Sequence, residues 1–367
     1  MTVLGVALVV AIFVLVLSLA NGLKETIVSA GSPDNLLVLG RGVRGESESG
    51  LTRQMAAIII TLPAVKIDDK GVRCVSPELL LNPIISNKFG SNETWTNVRG
   101  VEPIALSVHE QVNISEGRML HSGSEEIIIG KSCARELGGL KVGERLQFGR
   151  RRWLIVGVFE AKGTKFESEI WVDLNVLMGD FNRSRLSSVS VKLADMEKSK
   201  ELIRRLENDP RLLVKALPET SYLEKQTHTA TLYQAMGLAV AFILAFGALF
   251  GAMNTMYAAV AGRVSEIATL RALGFSRRAI LFSFIIESVL ISIMAGIIGC
   301  LLALLANGVS FTTMNVTTWS NVSFSLAATP GILVAGLLFS ILIGIAGGLL
   351  PAAQAARLPI TKALHEI

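Results

Sequence analysis

Charged side chains are scarce in this chain. Only 18% of its 367 residues are charged while 51% are hydrophobic, and mean hydropathy is +0.52, a balance that excludes an ordinary soluble protein of this size. The signatures of common enzymes are missing as well. Gly130-Lys131-Ser132 has the end of a phosphate-binding loop, but the glycine required five residues earlier is replaced by Glu125. No Gly-x-Ser-x-Gly elbow occurs, and His109, His121 and Glu125 do not have the tight His-Glu-x-x-His spacing of a zinc site, so surface or capping roles are expected for them. Neither a catalytic residue, a metal site nor a cofactor site is assigned to this chain.

The apolar excess is concentrated at the two ends. A helix needs about 20 mostly apolar residues to cross a bilayer, and four windows meet that length: Val3–Ala20, Leu232–Gly262, Ala279–Asn307 and Gly331–Leu350. The first lacks the basic start of a cleavable signal peptide and is too long for its apolar stretch, so a retained helix is expected. That same lack of Lys or Arg leads us to expect further residues upstream of Met1. Basic residues in short loops mark the cytoplasmic side. Arg263, Arg271, Arg277 and Arg278 stand between the second and third windows, and Arg357 and Lys362 follow the fourth. The stretch 308–330 carries no charge. The expected organisation is therefore four transmembrane helices, at 1–23, 229–262, 279–307 and 331–351, forming a helical bundle. An α+β extracytoplasmic domain of two subdomains occupies 24–228, inserted between helices 1 and 2. A cytoplasmic loop covers 263–278, a short outer loop 308–330 and a cytoplasmic tail 352–367.

Within 24–228, Asn35–Leu39, Glu126–Gly130, Arg152–Phe159 and Ser187–Leu193 read as strands. Lys131–Leu137 reads as a helix ended by Gly138-Gly139, and Met196–Glu207 as a helix with Met196, Leu202, Ile203 and Leu206 on its core side. The Gly- and Ser-rich stretch Gly40–Gly50 reads as a loose loop with little core to bury. Of the three cysteines, Cys300 falls in a membrane helix. Cys74 and Cys133 fall in the outer domain, where a disulfide can survive, although separate thiols packed as small apolar groups are the preferred reading. Asn92 and Asn113 begin Asn-x-Ser/Thr sequons that matter only in a host that glycosylates.

The most informative segment lies between the second and third windows. Val264, Ile267, Leu270 and Leu273 recur at helical spacing and Gly274 stops the helix, which predicts a short amphipathic helix able to dock a soluble partner. Glu287 is the single ionisable residue deep in a window, and the loop arginines are its expected partners, Arg278 lying nine residues away. Small residues four apart, at Gly247 and Gly251, Ser292 and Gly296, Ala295 and Gly299, and Gly344 and Gly348, allow close helix packing.

Glu266-Ile267-Ala268-Thr269-Leu270-Arg271-Ala272-Leu273-Gly274, followed by Arg277-Arg278, resembles the signature of the MacB/FtsX-like permeases of ATP-binding cassette (ABC) systems. Gly117-Arg118-Met119-Leu120, Glu126–Gly130, Gly138–Gly143 and Glu169–Val172 resemble that family's outer domain, and Pro351–Arg357 with Pro359–Leu364 resembles its C-terminal motif. The resemblance implies a non-catalytic permease subunit that pairs with a second copy of itself or a close homologue. Its cytoplasmic loop, through Glu266, Ile267, Leu270, Arg271, Leu273, Gly274, Arg277 and Arg278, would bind a separate ABC ATPase that holds the ATP and Mg. Closure of that ATPase would move the outer domain, driving export with a periplasmic adaptor and an outer-membrane duct. The alternative is an FtsX-like regulator that activates a periplasmic cell-wall hydrolase. The implied location is the bacterial inner membrane, with both termini cytoplasmic.

Overall fold

In the computed structural model, residues 2–91, 93–315 and 320–357 are described. The Asn92 sequon, Lys362 and the Pro359–Leu364 motif lie outside the described residues. The chain forms two compact units, one of Met1–Gly22, Ala230–Val309 and Leu326–Ile367, the other of Leu23–Thr229 with Ser310–Ser325.

Helix α1 (Thr2–Val28) leads into strand β1 (Asn35–Gly40), then α2 (Arg53–Ile60), β2 (Val75–Leu81), β3 (Ile84–Ser86), β4 (Glu93–Trp95), β5 (Asn97–Val101) and α3 (Ala105–Val108). There follow β6 (Asn113–Gly117), β7 (Glu126–Gly130), α4 (Lys131–Glu136), β8 (Arg145–Phe148), β9 (Arg151–Glu160), β10 (Glu169–Asp173) and α5 (Leu174–Asp180). Next come β11 (Ser188–Lys192), α6 (Ser199–Asn208), β12 (Val214–Pro218), α7 (Glu219–Gln226) and the long α8 (His228–Gly262). The chain continues through α9 (Val264–Ala272), α10 (Arg277–Leu305), the strands β13 (Ser310–Asn315) and β14 (Ser320–Ser325), and α11 (Pro330–Arg357).

The α/β unit is built on a mixed ten-stranded sheet in the order β12-β1-β11-β2-β5-β10-β7-β9-β6, with β8 on β9. Strand β2 joins its two halves: Val75–Glu78 pair with β11, and Leu79–Leu81 pair with β5. The region read from sequence as two subdomains is one compact unit built on one continuous sheet. Apolar side chains alternate into a common core that includes Val189, Val191, Ile127, Ile129, Ile170 and Trp153, the last stacked on Phe148. Leu202 and Leu206 of α6 are buried in this core, with Met196 and Ile203 packed against it. Side-chain oxygens of Thr52 and Asp173 cap α2 and α5 by accepting from Met55 N and from Asn175 N and Val176 N. Cys74 and Cys133 are free and buried, and burial raises both thiol pKa values.

Two sequence expectations change here. Residues 308–330 are not a plain loop, because Ser310–Asn315 and Ser320–Ser325 pair as antiparallel strands that belong to the α/β unit. Phe311 pairs with Phe324, Ser310 and Thr312 face Ser325 and Ser323, and Ser323 N donates to Ser168 Oγ at 3.0 Å. Charge composition carries no trace of such pairing. The Gly40–Gly50 stretch is likewise not loose, since its Glu46 is 4% exposed and enters the core as an ion-pair partner.

In the helical unit, α1, α8, α10 and α11 are each long and apolar enough to cross a bilayer. Helices α10 and α11 meet along small residues. A Cβ on Gly344 would lie 2.5 Å from Ser292 Oγ, and one on Gly348 2.7 Å from Ser288 Cβ. A Cβ on Gly296 would overlap Ser340 Oγ, and one on Gly299 would lie 2.5 Å from the Ala7 carbonyl oxygen of α1. Ser288 Oγ donates to the Gly344 carbonyl at 2.7 Å across the same seam. Gly247 and Gly251 differ, for a Cβ on either meets nothing within 4 Å. Their spacing on α8 serves no packing among the described residues. We therefore expect Gly344→Val to destabilise the purified protein by about 1–3 kcal/mol through overpacking. Gly251→Val, with the same helix-propensity change and nothing for its methyls to meet, should leave the melting temperature within a degree or so of Gly251→Ala. Thermal unfolding in detergent checks both.

Candidate functional site

The segment between α8 and α10 is short, and its construction follows from local rules. Gly274 takes φ 96°, a left-handed conformation open to glycine, and ends α9. Ser276 Oγ then accepts from Ala279 N at 3.2 Å and caps α10. Ile267 and Ala268 of α9 are buried, and Ile267 clusters with Met256 and Val260 of α8, Ile280 and Phe284 of α10, and Ala352, Ala355 and Ala356 of α11. The Pro351–Arg357 motif is thus the last part of α11, and its alanines make the floor on which α9 rests.

Helix α9 is not polar on one side and apolar on the other, as the spacing predicts. Ile267 is 3% exposed, whereas Leu270 and Leu273 are exposed, Leu273 at 73%, together with Phe275 beyond the turn. A single apolar repeat therefore does two things: part of it seats the helix and part remains uncovered. Glu266, Arg277 and Arg278 are also exposed. Arg271 points elsewhere, its Nη1 donating to the Ala356 carbonyl at 2.6 Å. This bond ties α9 to α11 through a backbone carbonyl.

Glu287, ten residues into α10, is paired with Arg263, not with Arg278: Arg263 Nη1 donates to both carboxylate oxygens at 3.3 Å. The partner comes from the junction of α8 and α9. Arg278 lies on the same helix about two and a half turns nearer its start, and the pair is not formed.

A second constellation, missed by sequence reasoning, lies inside the α/β unit. Arg99 of β5 is 2% exposed and holds three carboxylates. Its Nε and Nη2 donate to Glu169 at 2.7 and 2.9 Å, and its Nη1 to Glu46 at 2.9 Å and Glu78 at 2.7 Å. The other oxygen of Glu78 meets His109 Nε2 at 2.7 Å, and His109 Nδ1 faces Glu219 Oε1 at 3.9 Å. His109 is thus a fully buried ion-pair residue, neither a surface group nor a cap. His121 does lie on the surface beside Glu126, and Glu125 pairs with Arg151.

Burial opposes the charged forms of Glu78, Glu46, Arg99 and His109, and the neighbouring charges outweigh it. Burial pushes the Glu78 pKa up, but His109 and Arg99 bring it down to about 2. Glu46 is likewise lowered by Arg99 and Lys165 against burial, and Arg99 is held above its usual range by Glu169 and Glu46. For His109 burial favours the neutral ring, and Glu78 and Glu219 reverse that and raise its pKa. The single sequence cue was charged residues at strand positions, such as Glu78 between Pro77 and Leu79, which hydropathy patterning treats as ends or exposed faces.

The family model of the MacB-like periplasmic core domain matches residues 1–209, and that of the FtsX-like permease C-terminal region matches 238–360. The chain belongs to the MacB/FtsX-like permeases. Among curated relatives, the macrolide export ATP-binding/permease protein MacB of Bdellovibrio bacteriovorus is 29% identical over 400 residues, covering 100% of this chain and 59% of its own length. MacB of Vibrio parahaemolyticus is 28% identical over 392 residues, covering 99% of this chain and 57% of its own. The permease therefore spans under three-fifths of these relatives. Among solved structures, the periplasmic region of MacB from Actinobacillus actinomycetemcomitans aligns with a TM-score of 0.42 at 14% identity, covering 56% of this chain and 97% of that one. The extracellular domain of the noncanonic ABC-type transporter YknZ from Gram-positive bacteria gives a TM-score of 0.40 at 18% identity, covering 50% and 99%. Scores of this size decide nothing, and membership rests on the two family models. The chain is thus a multi-pass membrane protein of the ABC permease kind with a periplasmic-type domain.

The buried cluster makes two stability predictions for this permease. Arg99→Met leaves three carboxylates without their cation and should cost roughly 3–5 kcal/mol in chemical unfolding. The raised His109 pKa contributes stability that is complete below its unfolded value of 6.5 and is lost as pH rises through the folded one. The lowered Glu78 contributes stability present above 4.5 and lost as pH falls toward about 2. Unfolding midpoints should therefore be highest between these limits and decline on both sides, a profile that thermal melts across pH will test.

Proposed function

We propose that this chain is the permease subunit of an ABC transporter, coupling ATP hydrolysis by a separate ATPase to movement of its α/β domain and so driving export or extraction of substrate from the periplasm or the outer leaflet of the inner membrane. The observation that carries the reading is the seating of α9. Ile267 and Ala268 anchor it to the ends of three other helices, Arg271 bonds it to the end of α11, and Leu270, Leu273 and Phe275 stay uncovered beside Glu266, Arg277 and Arg278. A rigidly held helix with an exposed apolar ridge and flanking charge is a suitable shape for a soluble partner that must push on the bundle. ATP and Mg belong to that partner.

Basic loop residues support a topology with α9 and both termini in the cytoplasm and the α/β domain outside the inner membrane. A second copy of the chain, or a close homologue, completes the permease. A periplasmic adaptor and an outer-membrane duct would complete an exporter.

Affinity purification from gently solubilised membranes tests the reading. An ABC ATPase should co-purify with the chain, and Leu273→Asp should reduce its recovery by about tenfold or more while leaving the protein inserted and folded, since loss of a central apolar anchor is worth 2 kcal/mol or so. Glu266→Ala should weaken recovery less. An ATPase bound equally by all three proteins would overturn the role of α9. Recovery of a cell-wall hydrolase in place of an adaptor would replace export with regulation.

A further inference from the structure

Glu219 stands at the first turn of α7, which is followed in the chain by Thr227 and the long α8. Its Oε2 accepts from Ser32 N at 3.0 Å and from Asn35 Nδ2 at 2.9 Å, both on the link by which α1 enters β1. Asn35 Nδ2 also donates to the Val108 carbonyl at 3.1 Å, next to His109. Packing closes the same junction, for a Cβ on Gly31 would lie 2.9 Å from Leu223 Cδ1 and 3.3 Å from the Thr220 backbone of α7. One carboxylate therefore ties the chain leaving the first long helix to the chain entering the second.

The other oxygen of Glu219 faces His109 Nδ1, a buried nitrogen with no hydrogen-bond partner. Around His109, β2 contributes Glu78, β5 contributes Arg99 and α7 contributes Glu219. The Phe166 ring, with Arg99 and Lys165 over its faces, and the Trp171 ring, bonded to Glu169, complete the surroundings. Glu46, Glu78 and Glu169 meet Arg99 while Glu219 faces the imidazole, so negative charge is in excess and a proton on His109 reduces that excess. A neutral ring donates from Nε2 to Glu78 and turns a lone pair toward Glu219. Protonation puts an N–H there, and repulsion becomes attraction.

We propose that Glu219 and His109 form a positioning joint that holds the start of α7–α8 to the root of β1, and that a proton on His109 closes it. The proposal rests on the permease reading for its purpose, since the joint would carry a displacement of α8 into the sheet. Its physical content stands without that reading. At low pH the two chain entries move as one piece, and above the His109 titration the tie to α7 weakens.

The test is amide hydrogen exchange of the full chain in nanodiscs, followed at Ser32 and its neighbours, with protection factors corrected for intrinsic rates across pH. No ATPase is needed, so failure of the permease reading leaves the measurement intact. Wild-type protection at Ser32 should fall by about tenfold as pH rises through the His109 titration. Glu219→Gln keeps an oxygen to accept from Ser32 N and Asn35 Nδ2 and removes the charge that His109 faces. A merely structural Glu219 would leave the pH profile unchanged in this variant, whereas the joint predicts a flat one. His109→Gln should be flat as well. Wild-type protection that does not vary with pH, or that varies equally in Glu219→Gln, overturns the proposal. With the ATPase bound, ATP should alter Ser32 protection in wild type about tenfold more than in Glu219→Gln, and an equal response would remove the joint from the coupling path.

Discussion

Hydrocarbon offers no hydrogen bonds, and that constraint governs the helical unit. Segments that cross a bilayer must close their own backbone bonds, so α1, α8, α10 and α11 are long helices, and what holds them together must be close packing and short polar contacts. The α10–α11 seam is made of Ser288, Ser292, Gly296, Ser340, Gly344 and Gly348, side chains small enough to bring the backbones near. The same constraint disposes of Glu287, whose carboxylate is matched by Arg263 from the α8–α9 junction. Helix α9 then has a fixed place, because the ends of α8, α10 and α11 form one apolar cluster around Ile267.

Inside the α/β unit the dominant problem is the opposite one, an excess of charge where water is absent. Removing a carboxylate from water is costly, and only a dense set of bonds offsets it. Arg99 supplies four such bonds and His109 links the set to Glu219. Contributions come from β2, β5, β10, α7 and the turn around Glu46, so the cluster cross-links elements far apart in the chain. An apolar core of the same volume would tolerate small slips between these elements, whereas directional ion pairs specify one arrangement.

Much of the helical unit was legible from residues alone. Apolar runs of bilayer length are a local property, and so are the glycine stop at Gly274 and the Ser276 cap. Close packing was legible where small residues recur at helical spacing, as at Gly344 and Gly348, but which helix fills the space was not. Gly247 and Gly251 have the same spacing and meet nothing, since no described helix lies over them. Arg271 reads as a docking residue from its motif, yet its guanidinium is committed to a carbonyl 85 residues away. The Gly40–Gly50 stretch reads as loose because composition cannot register that Glu46 has an arginine waiting in β5.

By itself the sequence determined that four helices of bilayer length flank a domain of mixed helix and strand, that basic residues gather between the second and third, and that the 266–274 motif makes a short helix. These follow from hydropathy, charge and turn chemistry over windows of a few to twenty residues. Tertiary structure alone decided which part of α9 is covered, which arginine meets Glu287, that Ser310–Asn315 and Ser320–Ser325 pair as strands of the α/β unit, and that His109 and Glu219 come face to face. Each of those depends on groups brought together from distant positions, and the free energy of a buried charge is set by its spatial neighbours and not by its neighbours in sequence.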